Sequence, residues 1–199
     1  VSVSESDPNI MYVGMGEHAP RAVMTSYGDG VYKSTDAGKT WKNIGLKNTQ
    51  HISRVVIHPK NPNIVFVAAQ GALYGPNKER GIFKSVDGGV TWNKILYVNN
   101  LTGCSELSMD YNNPLVMYAA MWEHQRLPWK VISGGPGSGL YKTTDGGITW
   151  NQIHNGLPKE KGKMAIAVSR SNSEKVYALV ESDSNKELGL DCLQSIVQE

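Results

Sequence analysis

Ser85-Val86-Asp87-Gly88-Gly89-Val90-Thr91-Trp92 has two counterparts elsewhere in this chain of 199 residues. They are Ser34-Thr35-Asp36-Ala37-Gly38-Lys39-Thr40-Trp41 and Thr143-Thr144-Asp145-Gly146-Gly147-Ile148-Thr149-Trp150. All three fit Ser/Thr-x-Asp-x-Gly-x-Thr-Trp. The aspartates lie 51 and then 58 residues apart, a period that marks a propeller or solenoid rather than one irregular domain. Each copy reads as a tight turn. The aspartate accepts hydrogen bonds from N–H groups just ahead of it, the glycine two places on supplies a positive φ, and Thr-Trp opens the next strand. Gly30-Val31-Tyr32-Lys33, Gly81-Ile82-Phe83-Lys84 and Gly139-Leu140-Tyr141-Lys142 form the strand before each turn. Three equivalent turns need the same carboxylate for the same backbone reason. Asp36, Asp87 and Asp145, with Gly38, Gly89, Gly147, Trp41, Trp92 and Trp150, are therefore read as structural and not catalytic.

A second repeat precedes each hairpin. Asp7-Pro8-Asn9-Ile10-Met11-Tyr12-Val13 returns as Asn61–Val67, as Asn113–Ala119 and, more loosely, as Asn172–Ala178. The Asn-Pro type of pair marks a turn and a β-branched, aromatic strand follows. Short strands before these turns are expected at Val1–Ser4, Ser53–His58, Glu106–Asp110 and Ala165–Ser169. Each unit is thus four antiparallel strands, A to D, the blade of a β-propeller. The expected division is 1–50, 51–102 and 103–161 for three full blades, 162–181 for strands A and B of a fourth, and 182–199 for a divergent tail. The apolar spacing of that tail allows a short helix. Three blades and a part leave open sheet edges, so the remaining blades of a longer chain, or self-association, are expected partners.

The motif resembles the Asp-box, or BNR repeat, of sialidases, sortilin-type receptors, xyloglucanases and photosystem-assembly propellers, over roughly residues 1–181. The resemblance implies an all-β propeller whose boxes are turns on the outer strands, away from the active site. It also implies a secreted or periplasmic location, and either ligand binding or glycoside hydrolysis. The arginine triad and Arg-Ile-Pro segment of sialidases are not recognisable here.

Composition narrows the function. Lys and Arg total 20 against 18 Asp and Glu, a balance that leaves no electrostatic footprint for nucleic acid or an anionic membrane. No stretch has the length of a membrane-spanning helix. Cys104 and Cys192 are one possible pair without metal-ligand spacing, and the five histidines show no close-paired metal spacing. No metal or cofactor is expected. Gly134-Gly135-Pro136-Gly137-Ser138-Gly139 lacks the lysine and following helix of a phosphate loop.

Chain direction alternates, so A–B turns and boxes share one propeller face and the B–C and D–A loops share the other. The B–C loops, roughly Met15–Asp29, Gln70–Arg80 and Trp122–Ser138, are long and dissimilar. Variable loops on a rigid scaffold are where binding sites are built. His18 and Arg21 in the first loop, Tyr74 and Arg80 in the second, and Trp122, His124, Arg126 and Trp129 in the third are the candidate ligand-binding residues. Aromatic rings beside charged groups suit a sugar or a peptide. Equally, Trp122 directly follows strand B and suits the blade's own core. Glu17, Glu79 and Glu123 sit in successive loops and are weak candidates for a catalytic carboxylate pair; solvated loop glutamates are the plainer reading. Three functions follow: a propeller binding a carbohydrate or protein segment, a glycoside-hydrolase-like enzyme with catalytic carboxylates partly outside this chain, or a structural propeller with a protein partner.

Overall fold

Strand-forming sequence is followed by hydrogen-bonded sheet throughout the computed structural model, which describes residues 1–17, 25–182 and, for the backbone, 193–197. Blade 1 comprises β1 (Ser2–Val3), β2 (Met11–Gly14), β3 (Val31–Ser34) and β4 (Lys42–Asn43), paired in that order. Blade 2 repeats the order with β5 (Ile52–Ile57), β6 (Val65–Ala69), β7 (Gly81–Ser85) and β8 (Asn93–Leu96). In blade 3, β9 (Thr102–Met109) pairs β10 (Met117–Leu127), β10 pairs both β11 (Lys130–Ser133) and β12 (Gly139–Thr143), and β12 pairs β13 (Asn151–Ile153). Blade 4 has β14 (Met164–Val168), β15 (Lys175–Val180) and β16 (Leu193–Val197). All pairings are antiparallel. Among the described residues the only helical element is a 3-10 turn at Lys47–Thr49.

Successive side chains of a strand point to opposite sheet faces, and both faces of the middle blades are used. Val65 and Val67 of β6 pack towards blade 1 with Tyr12 and Val31. Phe66 and Ala68 pack towards blade 3 with Leu107, Met117 and Ala119. Tyr118, Ala120 and Leu140 of blade 3 meet Met164, Ile166, Val176 and Ala178 of blade 4. The core is therefore a succession of layers between blades, not one central mass.

Each box turn closes in the same way. Ser85 Oγ donates to Asp87 Oδ1 at 2.7 Å and accepts from Gly89 N at 2.8 Å. Asp87 accepts from Thr91 N at 2.9 Å and from Thr91 Oγ1 at 2.6 Å. Ser34, Asp36, Gly38 and Thr40 repeat this network, as do Thr143, Asp145, Gly147 and Thr149. The aspartates thus reach four residues ahead, and the threonine is held inside the turn. Strand D consequently starts after the tryptophan, at Lys42, Asn93 and Asn151, later than the Thr-Trp start expected from the sequence. The box also bonds the A–B turn beside it: Ala37, Gly88 and Gly146 donate to the carbonyls of Asn9, Asn63 and Leu115.

The strand C lysine links neighbouring blades. Lys33 Nζ donates to Gly88 O at 3.2 Å and Lys84 Nζ to Gly146 O at 2.8 Å. On the inner strands, bulges at Ser53 and Ser105 place a hydroxyl between its own blade, where it meets Ala68 O and Ala120 O, and the next one. Ser53 Oγ reaches Cys104 O in blade 3 at 2.7 Å, and Ser105 Oγ reaches Met164 O in blade 4 at 2.8 Å. Arg54 grips Glu106 with two hydrogen bonds, at 2.5 and 2.8 Å, between the inner strands of blades 2 and 3. Arg170 of blade 4 pairs with Glu5 of blade 1 at 2.8 Å.

Two readings of the sequence need correction. Residues 193–197 form a strand, not a helix. Lys175–Leu179 offers an open row of N–H and C=O groups, and Leu193–Val197 pairs along it, Ile196 opposite Val176. The third B–C segment is not a loop over its whole length. β10 runs through Trp122 to Leu127 and returns as β11, with Pro128 and Trp129 at the tip. The residues Trp122-Glu123-His124-Gln125 alternate between buried and half-buried, a period of two that continues the strand.

Candidate binding surface on the long-loop face

The second B–C loop is built around Arg80, which is fully buried. Its Nη1 donates to Gln70 O at 3.1 Å and lies 3.2 Å from His124 Nδ1. Its Nη2 donates to Ala72 O, to Gly75 O at 3.3 Å and to His124 O at 3.5 Å. The guanidinium thus satisfies carbonyls that the loop turns inward. Among the described residues no carboxylate lies within ion-pair distance of it, and burial lowers its pKa to about 10.

His124 is buried and stacks on Trp122, with ring centroids 4.2 Å apart and planes 16° from parallel. Burial first, then the Arg80 charge, pushes His124 down to about 3, so its ring is neutral at physiological pH. Trp122 is buried too, and its indole N–H donates to Ser133 Oγ at 3.0 Å. Arg80, Trp122 and His124, drawn from the sequence as ligand-binding candidates, therefore lie beneath the surface and hold the second loop against the β10–β11 hairpin. Burial of Trp122 matches its place directly after strand B, whereas burial of Arg80 is not legible in the sequence, because a loop arginine is ordinarily solvated.

The remaining candidates lie on the outside. Trp129, at the hairpin tip, is 77% exposed. Tyr74 is exposed and meets Tyr27 of the first loop edge-on, ring centroids 6.3 Å apart. Tyr27 also rests on the buried His51 ring, 5.6 Å away. The hairpin is fastened beside Tyr74, since Arg126 N donates to Leu73 O at 2.7 Å. Tyr27, Tyr74 and the hairpin carrying Trp129 thus link three blades on one face. Tyr27 stands in the first loop beside Glu17, His18 and Arg21 in the sequence, and its meeting with Tyr74 depends on blade geometry. His18 and Arg21 lie outside the described residues.

The three glutamates have separate partners. Glu17 accepts from Ser26 N at 3.0 Å. Glu79 lies 3.8 Å from Lys94 Nζ, on strand D. Glu123 accepts from Gly137 N at 2.8 Å and so anchors the glycine-rich return to β12. Beside that return a cleft of about 420 Å³ opens between Gly134–Pro136 and Lys159–Gly162. At its wall, Glu181 Oε2 accepts from Ser133 Oγ at 2.6 Å and Lys163 N at 2.7 Å. Among the described residues no group of His, Cys, Asp and Glu is disposed to hold a metal ion. None of their helices is long and apolar enough to cross a membrane. Cys104 is a buried free thiol whose pKa burial raises; Cys192 lies outside the described residues.

With strands, turns and loops in place, the relationship to known proteins is plain. The Sortilin-Vps10 family model, described as sortilin, neurotensin receptor 3, matches residues 29–187. The chain belongs to the Sortilin-Vps10 family. This Sortilin-Vps10 chain is also 25% identical over 176 residues to xyloglucanase Xgh74A of Acetivibrio thermocellus, covering 80% of the chain and 20% of that enzyme. A xyloglucanase of a Paenibacillus species is 23% identical over 195 residues, 82% of this chain and 18% of that one. The chain thus spans about a fifth of the length of these relatives. Crystal structures place the fold among β-propellers. An ancestral GH74 enzyme superposes with a TM-score of 0.66 at 19% identity, covering 88% of this chain and 21% of that one. The GH74 enzyme of Niastella koreensis gives 0.61 at 23% identity, covering 88% and 24%.

Proposed function

We propose that this chain presents a carbohydrate-binding surface on its long-loop face, with Tyr27, Tyr74 and Trp129 as stacking platforms. The carrying observation is that these exposed rings come from three different blades yet belong to one linked group of loops. A sugar ring offers an apolar face for stacking and hydroxyls for polar contact, which suits Tyr and Trp. The cleft beside Ser133 and Glu181 adds hydrogen-bonding groups for hydroxyls on the same face. Kinship with two xyloglucanases supports a β-glucan such as xyloglucan as the first ligand to test. Such a polymer does not cross membranes unaided, which supports a function outside the cytoplasm. Binding is the reading carried by the exposed rings, while Glu17, Glu79 and Glu123 are each engaged by a local partner, Ser26, Lys94 and Gly137.

The test is calorimetric titration of a xyloglucan oligosaccharide into the wild-type chain and into Trp129→Ala and Tyr74→Ala. Each substitution is expected to weaken binding about tenfold, corresponding to about 1.4 kcal/mol. Full affinity in both folded variants overturns the proposed surface. Affinity for an extended peptide in place of the glycan moves the same surface to a protein ligand.

A further inference from the structure

We propose that the glycine-rich strap Gly134-Gly135-Pro136-Gly137 covers a sugar-binding subsite made by Asn99, Thr102 and Glu123, and lifts when a ligand enters. This rests on the carbohydrate reading of the long-loop face and names one subsite of it. The starting observation is Thr102. Its side chain is fully buried at the start of β9, and its hydroxyl has no hydrogen-bond partner among the described residues. A buried hydroxyl left unpaired costs stability, whereas valine would fill the same space in a strand without that cost. Gly137 covers this hydroxyl: a Cβ on Gly137 would lie 2.1 Å from Thr102 Oγ1. The same Cβ would lie 2.8 Å from Asn99 Nδ2 and 2.8 Å from Glu123 Oε2. Asn99 Oδ1 accepts from Leu101 N at 2.8 Å, so the amide N–H groups of Asn99 are what face the strap. A donor, a hydroxyl and a carboxylate thus meet under a residue that has no side chain to use them.

The strap hangs from one residue. Its ends are tied to the Glu123 backbone: Gly134 N donates to Glu123 O at 2.9 Å, and Glu123 N donates to Ser138 Oγ at 3.0 Å. Its middle is tied to the Glu123 side chain, through Gly137 N to Oε2 at 2.8 Å. The bond from Ser138 N to Gly135 O lies within the turn itself. Rotation of the Glu123 side chain therefore frees the middle while both ends stay in place, and the three glycines absorb the backbone change. The strap is also a wall of the cleft of about 420 Å³, so lifting it opens the subsite into that cleft. Adjacent hydroxyls of a sugar ring suit the three groups, since each hydroxyl both donates and accepts. One donates to Glu123 in place of Gly137 N–H and accepts from Asn99 Nδ2. Its neighbour gives Thr102 Oγ1 the partner it lacks. The ligand is a neutral, polyhydroxylated glycan and not an acidic one, because Glu123 would repel a carboxylate or a sulfate.

Two measurements with a xyloglucan oligosaccharide test this. The first is amide hydrogen exchange resolved at Gly137 in the wild-type chain, and it needs no variant. Sugar resting on the outer rings alone leaves this amide bonded to Glu123. Entry beneath the strap releases it, and its exchange is expected to quicken about tenfold at saturation. The second is calorimetric titration of Thr102→Val. This variant is expected to melt no lower than wild type, since the hydroxyl it loses had no partner, and to bind about tenfold more weakly. Thr102→Ser keeps the hydroxyl and is expected to restore affinity. Unchanged or slower exchange at Gly137, or full affinity in folded Thr102→Val, overturns the subsite; weak binding by Trp129→Ala and Tyr74→Ala would then leave the outer rings standing without it. Weak binding by Thr102→Val beside full affinity in both ring variants keeps the subsite and overturns the platforms. A wild-type chain that binds no oligosaccharide overturns both.

Discussion

Asp87 works purely as an acceptor, and its protonation state is therefore a stability variable. The Thr91 hydroxyl, then the Thr91 N–H and the Ser85 hydroxyl, hold its carboxyl well below the usual aspartate range. Asp36 and Asp145 are held down by the matching groups, Asp36 to about 2. An unfolded aspartate titrates near ~3.9. With the folded value lower, the contribution is complete above that pH and is lost as pH falls towards the folded value. The melting temperature should be flat above about pH 5 and fall between about pH 4 and pH 2. Asp87→Asn should melt lower than wild type at pH 7, and the gap should narrow towards pH 2; a gap independent of pH would contradict this account. Arg80 gives a second prediction at this scale. Arg80→Ala leaves the inward carbonyls of Gln70, Ala72 and Gly75 without their donor. The expected cost is about 3 kcal/mol in urea unfolding, and an unchanged midpoint would show that the loop finds other donors.

At the scale of elements, the box glycines separate a turn's own needs from those of its neighbour. Gly38 and Gly89 both have positive φ, +85° and +93°. A Cβ on Gly38 would lie 3.4 Å from Met11 Sδ, an ordinary contact, whereas one on Gly89 would lie 2.3 Å from Ile44 Cδ1 of blade 1. Gly38→Ala should therefore cost only the left-handed penalty, about 1–2 kcal/mol. Gly89→Ala should cost about 1–3 kcal/mol more through overpacking between blades. Equal denaturation midpoints for the two would remove the blade contact as the cause. Turns like these were legible in the sequence because their logic is local: an acceptor, a glycine and a threonine at fixed offsets. The serine or threonine that opens each box was visible, but its double role as donor and acceptor was not. The hairpin from Trp122 to Ser133 looks like a loop in the sequence because Glu123-His124-Gln125-Arg126 is a polar run without apolar alternation, and only the pairing of β10 with β11 shows it as strand. Exposed Trp129 and buried Trp122 look alike in sequence. Only the register, and the layer formed with Arg80, tells them apart.

For the molecule as a whole, stability should be close to a sum of blades and the interfaces between neighbours, as in other repeat architectures. Blades 2 and 3 bury both sheet faces, whereas blades 1 and 4 each bury one. Hydrogen exchange should accordingly be slowest in β6 and β10 and faster in β14 and β15, because exchange reports local opening. Ser105 offers a way to test the coupling. Its hydroxyl bonds Ala120 O in its own blade at 3.1 Å and Met164 O in blade 4 at 2.8 Å. Removing it in Ser105→Ala should weaken the blade 3–4 interface by about 1 kcal/mol. If neighbours alone communicate, the amides of blade 4 should exchange faster, by about fivefold, while those of blades 1 and 2 keep their wild-type rates. The Arg170–Glu5 pair offers a second route between the first and last blades. Both partners are largely exposed, so this route should be weak and should fade with salt. Faster exchange in blade 1 of Ser105→Ala at low salt, absent at high salt, would show the ion pair carrying the coupling. Equal acceleration in every blade at both salt concentrations would instead mean that the chain unfolds as one unit, and the sum of blades would not describe it.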